Sequence, residues 1–338
     1  MDNNLNIRLN DNTSIDLLRL KEIIHNNYTS CQSCFAKVQS DFLVGMYNRY
    51  YKDLDTSNIV LSFGVNFHRS VLHQRVFDFD HDISYKNFWK NLEKIRQKKT
   101  KIIDIAKDTG LPRETTRRKV NSLIKLKVLH KTKSNIYWKP NNKQVSSFEQ
   151  IVENQIDGLS KIINEISFFL HLKIDDHAIK EEIKKNFSFY WYHYLSTFLE
   201  YNKYWQKKNG DIDSLFIILQ YIISILNFLK KNNIKERKDV FSKKILSNFD
   251  LINTSIGSTS LERTTGLPKA TCIRKLQNLV KIKVLEKDLV TKKFFLNLKN
   301  MSDLNISFLK DIDEMSINIF SNFYLILIKA LLRSKKIR

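Results

Sequence analysis

Glycine, proline and cysteine are all scarce in this 338-residue chain, which has 7 Gly, 3 Pro and 3 Cys. So few turn-forming residues leave too little punctuation for a many-stranded sandwich or barrel, and they point to long helices. Cys31, Cys34 and Cys272 are too few and too scattered for a disulfide framework. The N-terminal stretch MDNNLNIRLNDN lacks the apolar core of a secretion signal, so a reducing cytoplasm is the expected location. There is no Gly-rich phosphate loop, no His-Glu-x-x-His and no dinucleotide fingerprint. The eight histidines show no partnering pattern. Cys31-x-x-Cys34 has no second pair, and even with His25 nearby a zinc site would need a fourth ligand from elsewhere. No enzyme, no metal and no cofactor is expected. The most apolar run, Ser214 to Lys230, is interrupted by Gln220, Ser224 and Asn227 and falls short of the ~20 residues of a spanning helix. It reads as a buried helix, with no membrane segment.

What the chain does have is positive charge and enough apolar material to fold. Lys+Arg number 57 against 35 Asp+Glu, a net charge of +22, while 42% of residues are hydrophobic. The length exceeds what one core usually serves, so two units are expected. Lysine outnumbers arginine by 43 to 14. An A+T-rich genome would produce that bias whatever the function, so basicity bears on nucleic acid only where it clusters on a reading element.

A phrase occurs twice. Thr109 to Lys131 (TGLPRETTRRKVNSLIKLKVLHK) aligns without gaps on Thr265 to Lys287 (TGLPKATCIRKLQNLVKIKVLEK), 156 residues on, with 13 identities in 23 positions. The same offset brings Ser40, Phe42 and Leu43 onto Ser196, Phe198 and Leu199, and Ile156-Asp157 and Ile163 onto Ile312-Asp313 and Ile319. The expectation is a gapless duplication of about 156 residues with a seam near residue 150 to 180.

The phrase has a local structural reading. Ile102, Ile103, Ile105 and Ala106 have helical spacing, Gly110 suits the left-handed residue that ends such a helix, and Pro112 suits the first turn of the next. Val128 to Lys131 and Ile136 to Trp138 flank Ser134-Asn135 as a small hairpin, with Val284-Leu285 and Phe294 to Leu296 as the second copy. On the helical wheel Thr116, Val120, Leu123, Ile124 and Lys127 share one side of the second helix, and Glu114, Thr115, Arg118, Asn121, Ser122 and Lys125 the other. The second copy presents Ala270, Thr271, Arg274, Gln277, Asn278 and Lys281. Pro112 to Lys133 carries eight Lys/Arg and one acid, and Leu267 to Lys293 eight and two, far above an even share. Such concentration suits neutralisation of phosphates.

Helix, Gly-containing turn, helix and hairpin is a pattern that resembles the winged helix-turn-helix domains of bacterial transcription regulators of the MarR and IclR type. The resemblance covers Ser84 to Pro140 and Val240 to Asn300. It implies that the second helix enters the major groove of double-stranded DNA and that the hairpin, or wing, touches the adjacent backbone. The expected DNA-binding residues are Arg113, Glu114, Thr115, Arg117, Arg118, Lys119, Asn121, Ser122, Lys125, Lys131 and Lys133 in the first copy. In the second they are Lys269, Thr271, Arg274, Lys275, Gln277, Asn278, Lys281, Lys287, Lys292 and Lys293.

The expected fold is therefore mainly α, a tandem duplication of a helical segment plus a winged helix-turn-helix with small β-wings. Its parts are a helical segment (1–83), a first winged domain (84–142), a helical middle (143–239), a second winged domain (240–300) and a C-terminal helix (301–338). The amphipathic stretches Phe148 to Leu172 and Leu304 to Leu332 are candidate dimer arms, for a homodimer or for an intramolecular pseudo-dimer. The aromatic run Phe187 to Trp205 reads as packed core before it reads as an effector pocket, because its rings go round the whole helix. A sequence-specific transcription regulator is the leading reading, with a plasmid-type replication initiator and a helical protein-interaction scaffold as alternatives.

Overall fold

The computed structural model describes residues 15–50, 52–133, 135–140, 142–172, 174–209, 211–232, 251–297 and 307–334. The expected boundary at 239/240, Ser134 in the first hairpin turn, and Leu304 at the expected start of the last helix lie outside the described residues. The protein is mainly helical, at 76% helix. The helices of the first half are α1 (Leu17–Asn26), α2 (Tyr28–Arg49), α3 (Leu54–Phe77), α4 (Tyr85–Phe88), α5 (Ile102–Thr109), α6 (Arg113–Lys125) and α7 (Asn142–Phe169). Those of the second half are α8 (Asp176–Lys185), α9 (Phe187–Asn209), α10 (Ile212–Lys231), α11 (Ser258–Thr265), α12 (Lys269–Lys281) and α13 (Ser307–Ser334). Two antiparallel hairpins follow α6 and α12: β1 (Leu129–Lys131) with β2 (Ile136–Trp138), and β3 (Leu285–Lys287) with β4 (Phe294–Leu296).

The Thr-Gly-Leu-Pro turn has the same construction in both places. Thr109 donates its hydroxyl to Ile105 O at 2.8 Å and accepts from Leu111 N, and Thr265 treats Leu261 O and Leu267 N likewise. Gly110 and Gly266 sit at φ 77° and 72°, which a Cβ would strain. Leu111 and Leu267 are buried, and each proline stands just before the next helix, one place earlier than its expected position in the first turn. Each second helix ends with a lysine in the left-handed region, Lys127 (φ 55°) and Lys283 (φ 61°), followed by a bond from Val128 N to Leu123 O or from Val284 N to Leu279 O. From 111 to 131 and from 267 to 287 buried and exposed positions agree residue for residue. Thr100 bridges Ile136 and Ile256 bridges Phe294, so each hairpin is tied back to the start of the first helix of its pair.

Outside this phrase the constant offset fails. The side-chain caps Asp16 of α1 and Asp175 of α8 are 159 residues apart, and Asp53 of α3 and Asp211 of α10 are 158 apart. The burial pattern of 38–47 recurs at 197–206, and that of 159–167 at 320–328. By burial pattern Ser40, Phe42 and Leu43 line up with Leu199, Tyr201 and Asn202, three residues away from the expected Ser196, Phe198 and Leu199. Helix faces tolerate small changes of loop length between them, and here those changes shift the register by two to five residues.

The core does not divide at the expected seam. α3 packs on α9 while α2 packs on α10, and α1 lies on α13 while α8 lies on α7. Each half therefore supplies the wall against which the other closes, and one continuous apolar cluster runs through both. Phe42 of α2 stacks on Phe198 of α9 with ring centroids 4.5 Å apart. The aromatic run expected to be core is the helix α9, with Phe187, Tyr190, Tyr194, Phe198 and Trp205 buried. α10 runs 20 residues, so the length argument against a membrane span does not hold. α10 and the Asp313–Arg333 stretch of α13 are both long and apolar enough to cross a membrane, and 61% of each is buried inside the fold.

Candidate nucleic-acid interface

The apolar side of α6 buries Thr116, Val120 and Leu123, and that of α12 buries Cys272, Leu276 and Leu279. This fixes which residues face out. Arg113, Glu114, Arg117, Arg118, Asn121, Ser122 and Lys125 are exposed on α6, and Thr115 is half-buried. Glu114, Arg117, Arg118, Asn121, Ser122 and Lys125 line one open hollow on the surface. On α12 Lys269, Arg274, Gln277, Asn278 and Lys281 are exposed and Thr271 is half-buried. Lys131 and Lys133 on the first hairpin, and Lys287, Lys292 and Lys293 on the second, are exposed as well.

Two expected contacts, Lys119 and Lys275, turn inward instead. The Lys119 ammonium lies on the Asp53 carboxylate and 3.9 Å from Asp55, and Lys275 reaches Asp211 at 2.8 Å. These lysine side chains are only 15% and 13% exposed. They lie between the buried and exposed sides of the helix, where a long stem reaches back to the cap of the helix behind. Burial works to raise the Asp53 carboxyl, but hydrogen bonds from Lys119 and from Thr56 outweigh it and hold the group below the usual range. Asp55 goes the other way. Burial pushes it up to about 6, Lys119 opposes, and the neighbouring charges of Asp53, Asp213 and Asp211 add to the rise. Carboxylates from both halves thus form one cluster that anchors α6 and α12.

The outward faces differ where the copies differ. Arg117 makes a bidentate ion pair with Glu114, Nη2 to Oε1 at 2.6 Å and Nε to Oε2 at 2.9 Å. That hydrogen bond holds the Glu114 carboxyl below its usual range. The matching positions on α12 are Ala270 and the exposed Ile273, so one face carries a polar fork and the other an apolar step.

Sequence reasoning missed two groups of surface residues. Lys127 was placed on the buried side, yet it and Lys283 are exposed in their left-handed positions beside the hairpins, where glycine is usual. The apolar pair Leu289-Val290 is exposed at the tip of the second hairpin, in a turn closed by Thr291 N on Asp288 Oδ2 at 2.7 Å. The extra turn residues there were visible in the spacing of the strands.

The cysteines sit in helices. Cys31 is buried in α2 with its thiol pushed up to about 12 by burial, Glu165 and Cys34 adding to the rise, and Cys272 occupies the buried position that Thr116 has in α6. Among the described residues no group of three or more His, Cys, Asp or Glu is arranged to hold a metal ion. No protein family, curated protein or solved structure compared with the chain matches it.

Proposed function

We propose that the chain is a sequence-specific, double-stranded-DNA-binding transcription regulator that acts in the cytoplasm without catalysis. It is built by internal duplication of a helical segment and a winged helix-turn-helix, and its halves form a pseudo-dimer within one polypeptide. The observation that carries the reading is the chemistry of the exposed faces of α6 and α12. Arg118 and Arg274, Lys125 and Lys281, and the amides Asn121 and Gln277 face solvent at matching positions, with Asn278 at the place of Ser122, flanked by hairpin lysines. These side chains pair with base edges and phosphates. The exchange of packing between the halves supports a pseudo-dimer, since each contact of an isologous interface has a reciprocal counterpart. Glu114 and Arg117 against Ala270 and Ile273 imply that the two units read different half-sites.

Selection of bound duplexes from a random pool, followed by titration at ~50 and ~200 mM salt, tests this reading. If the two faces hold about six to ten phosphates, log K against log[salt] slopes near −5 to −9. A flat affinity, or no duplex bound, would favour the scaffold. Selected sites that recur as direct repeats in a replication origin would favour the initiator.

A further inference from the structure

The two hairpins differ at their tips. In the first, Thr132 N donates to Asn135 O at 2.9 Å, with two positions between the closing residues. In the second, the equivalent bond runs from Asp288 N to Lys293 O at 2.9 Å and encloses four, Leu289, Val290, Thr291 and Lys292. Both bonds stand one place beyond the last strand pair, Lys131 with Ile136 and Lys287 with Phe294, so the second hairpin is longer at its apex by two residues. Leu289 and Val290 occupy that apex and are 77% and 88% exposed.

The apex is built, not slack. The Asp288 carboxylate accepts from Thr291 N at 2.7 Å, from Val290 N at 3.4 Å and from the Thr291 hydroxyl, and Lys293 N donates to Thr291 Oγ1 at 3.4 Å. Lys292 takes the left-handed conformation (φ 58°) that turns the chain back. These bonds lie within the turn, so they fix the backbone beneath Leu289 and Val290 while both side chains stand out in solvent. The first hairpin closes without an equivalent pair.

The surroundings of the pair select its occupant. Lys287, Lys292 and Lys293 are exposed around it, and the one carboxylate of the turn, Asp288, is engaged by Thr291. An aliphatic point set among cations fits a groove walled by phosphates. β3 packs on α12, so the tip extends from the same unit as the face that carries Arg274 and Lys281.

We infer that the second hairpin is a minor-groove wedge: Leu289, supported by Val290, enters the minor groove beside the site read by α12 and unstacks one base step, with Lys287, Lys292 and Lys293 on the flanking phosphates. This rests on the DNA-binding reading and adds to it a bend at one end of the site. The minor groove is ~6 Å wide, enough for an aliphatic side chain. Apolar wedges of this kind kink a duplex by roughly 20–90°. Because the turn is fixed before binding, little freedom is lost on entry. The first hairpin, with a shorter tip and an exposed Lys133, holds backbone without unstacking.

The test uses the full chain and duplexes selected from a random pool, with 2-aminopurine placed at successive steps outside the half-sites and energy transfer between dyes at the duplex ends. The wild type should bend the duplex and brighten 2-aminopurine at one step, on one flank only. Leu289→Ser and Val290→Ser together should abolish both signals and weaken binding about ten-fold. Circular dichroism and melting temperature should stay unchanged, because the apex is exposed. Leu289→Phe, which keeps a wedge, should retain the bend and the unstacked step. A straight duplex with the wild type, equal unstacking on both flanks, or signals that persist in the double variant overturns the assignment. The wild-type measurements decide even if a variant does not fold. A straight duplex together with phosphatidylserine vesicles bound by the wild type and not by the double variant would give the tip to a lipid surface. Failure to bind any duplex removes the regulator and the wedge together, whereas selective binding with every step stacked removes the wedge alone.

Discussion

Lys275 Nζ lies 2.8 Å from Asp211 Oδ1, so the second helix of the repeated phrase is held by the residue that caps the helix behind it. Lys119 and Asp53 make the same connection in the first half. An identical lysine in two similar phrases reads as a phosphate contact in sequence, yet in space it is an anchor.

Replacing that anchor should therefore affect stability before binding. Lys119→Gln should lower unfolding free energy by about 1–3 kcal/mol, between the cost of breaking an exposed pair and a buried one. Lys125→Gln should leave stability within about 0.5 kcal/mol and weaken DNA. Denaturant melts of both variants beside duplex titrations check this. Unchanged stability for Lys119→Gln would return that lysine to the interface.

Reading and holding should separate within the exposed set. Arg118→Ala should lower affinity for the selected site by roughly 1–3 kcal/mol and relax the choice at one base pair. Lys133→Ala should weaken selected and scrambled duplexes alike, because a phosphate contact is blind to sequence. Titration of both variants against both duplexes at one salt concentration distinguishes these roles. Equal loss on the two duplexes for Arg118→Ala would mean that it only grips phosphate.

The stacking of Phe42 on Phe198 joins the halves into one core. Phe198→Ala should cost about 3–5 kcal/mol and shift a single cooperative transition without splitting it. Scanning calorimetry reads both quantities. Two separated transitions in the wild type would show that the halves melt independently.

His68 gives a pH dependence with a definite sign. Its folded pKa lies near 3 against an ordinary value of 6.5, so the unfolded chain binds the proton more readily. The stability due to the neutral imidazole is present above pH ~6.5 and is lost as pH falls toward 3. Asp55, raised to about 6, works in the opposite direction over part of that range. The difference between proteins isolates the histidine: His68→Leu should lose less stability than the wild type between pH 7 and pH 5. Parallel melting-temperature profiles would contradict this.

By itself the sequence determined the local chemistry of the phrase. Gly110 and Gly266, the buried Leu111 and Leu267 and the apolar positions of α6 all follow from short-range rules, because a left-handed turn and a helical stripe need only their own neighbours. Tertiary structure alone decided three things. It shifted the helices outside the phrase by two to five residues, since a face and not a numbering offset is what packs. It turned Lys119 and Lys275 inward, since the carboxylates that attract them are 66 and 64 positions away along the chain. It also merged the two expected units into one core, since α3 closes mainly on α9 and α2 packs on α10 of the other half as well as on α7 of its own.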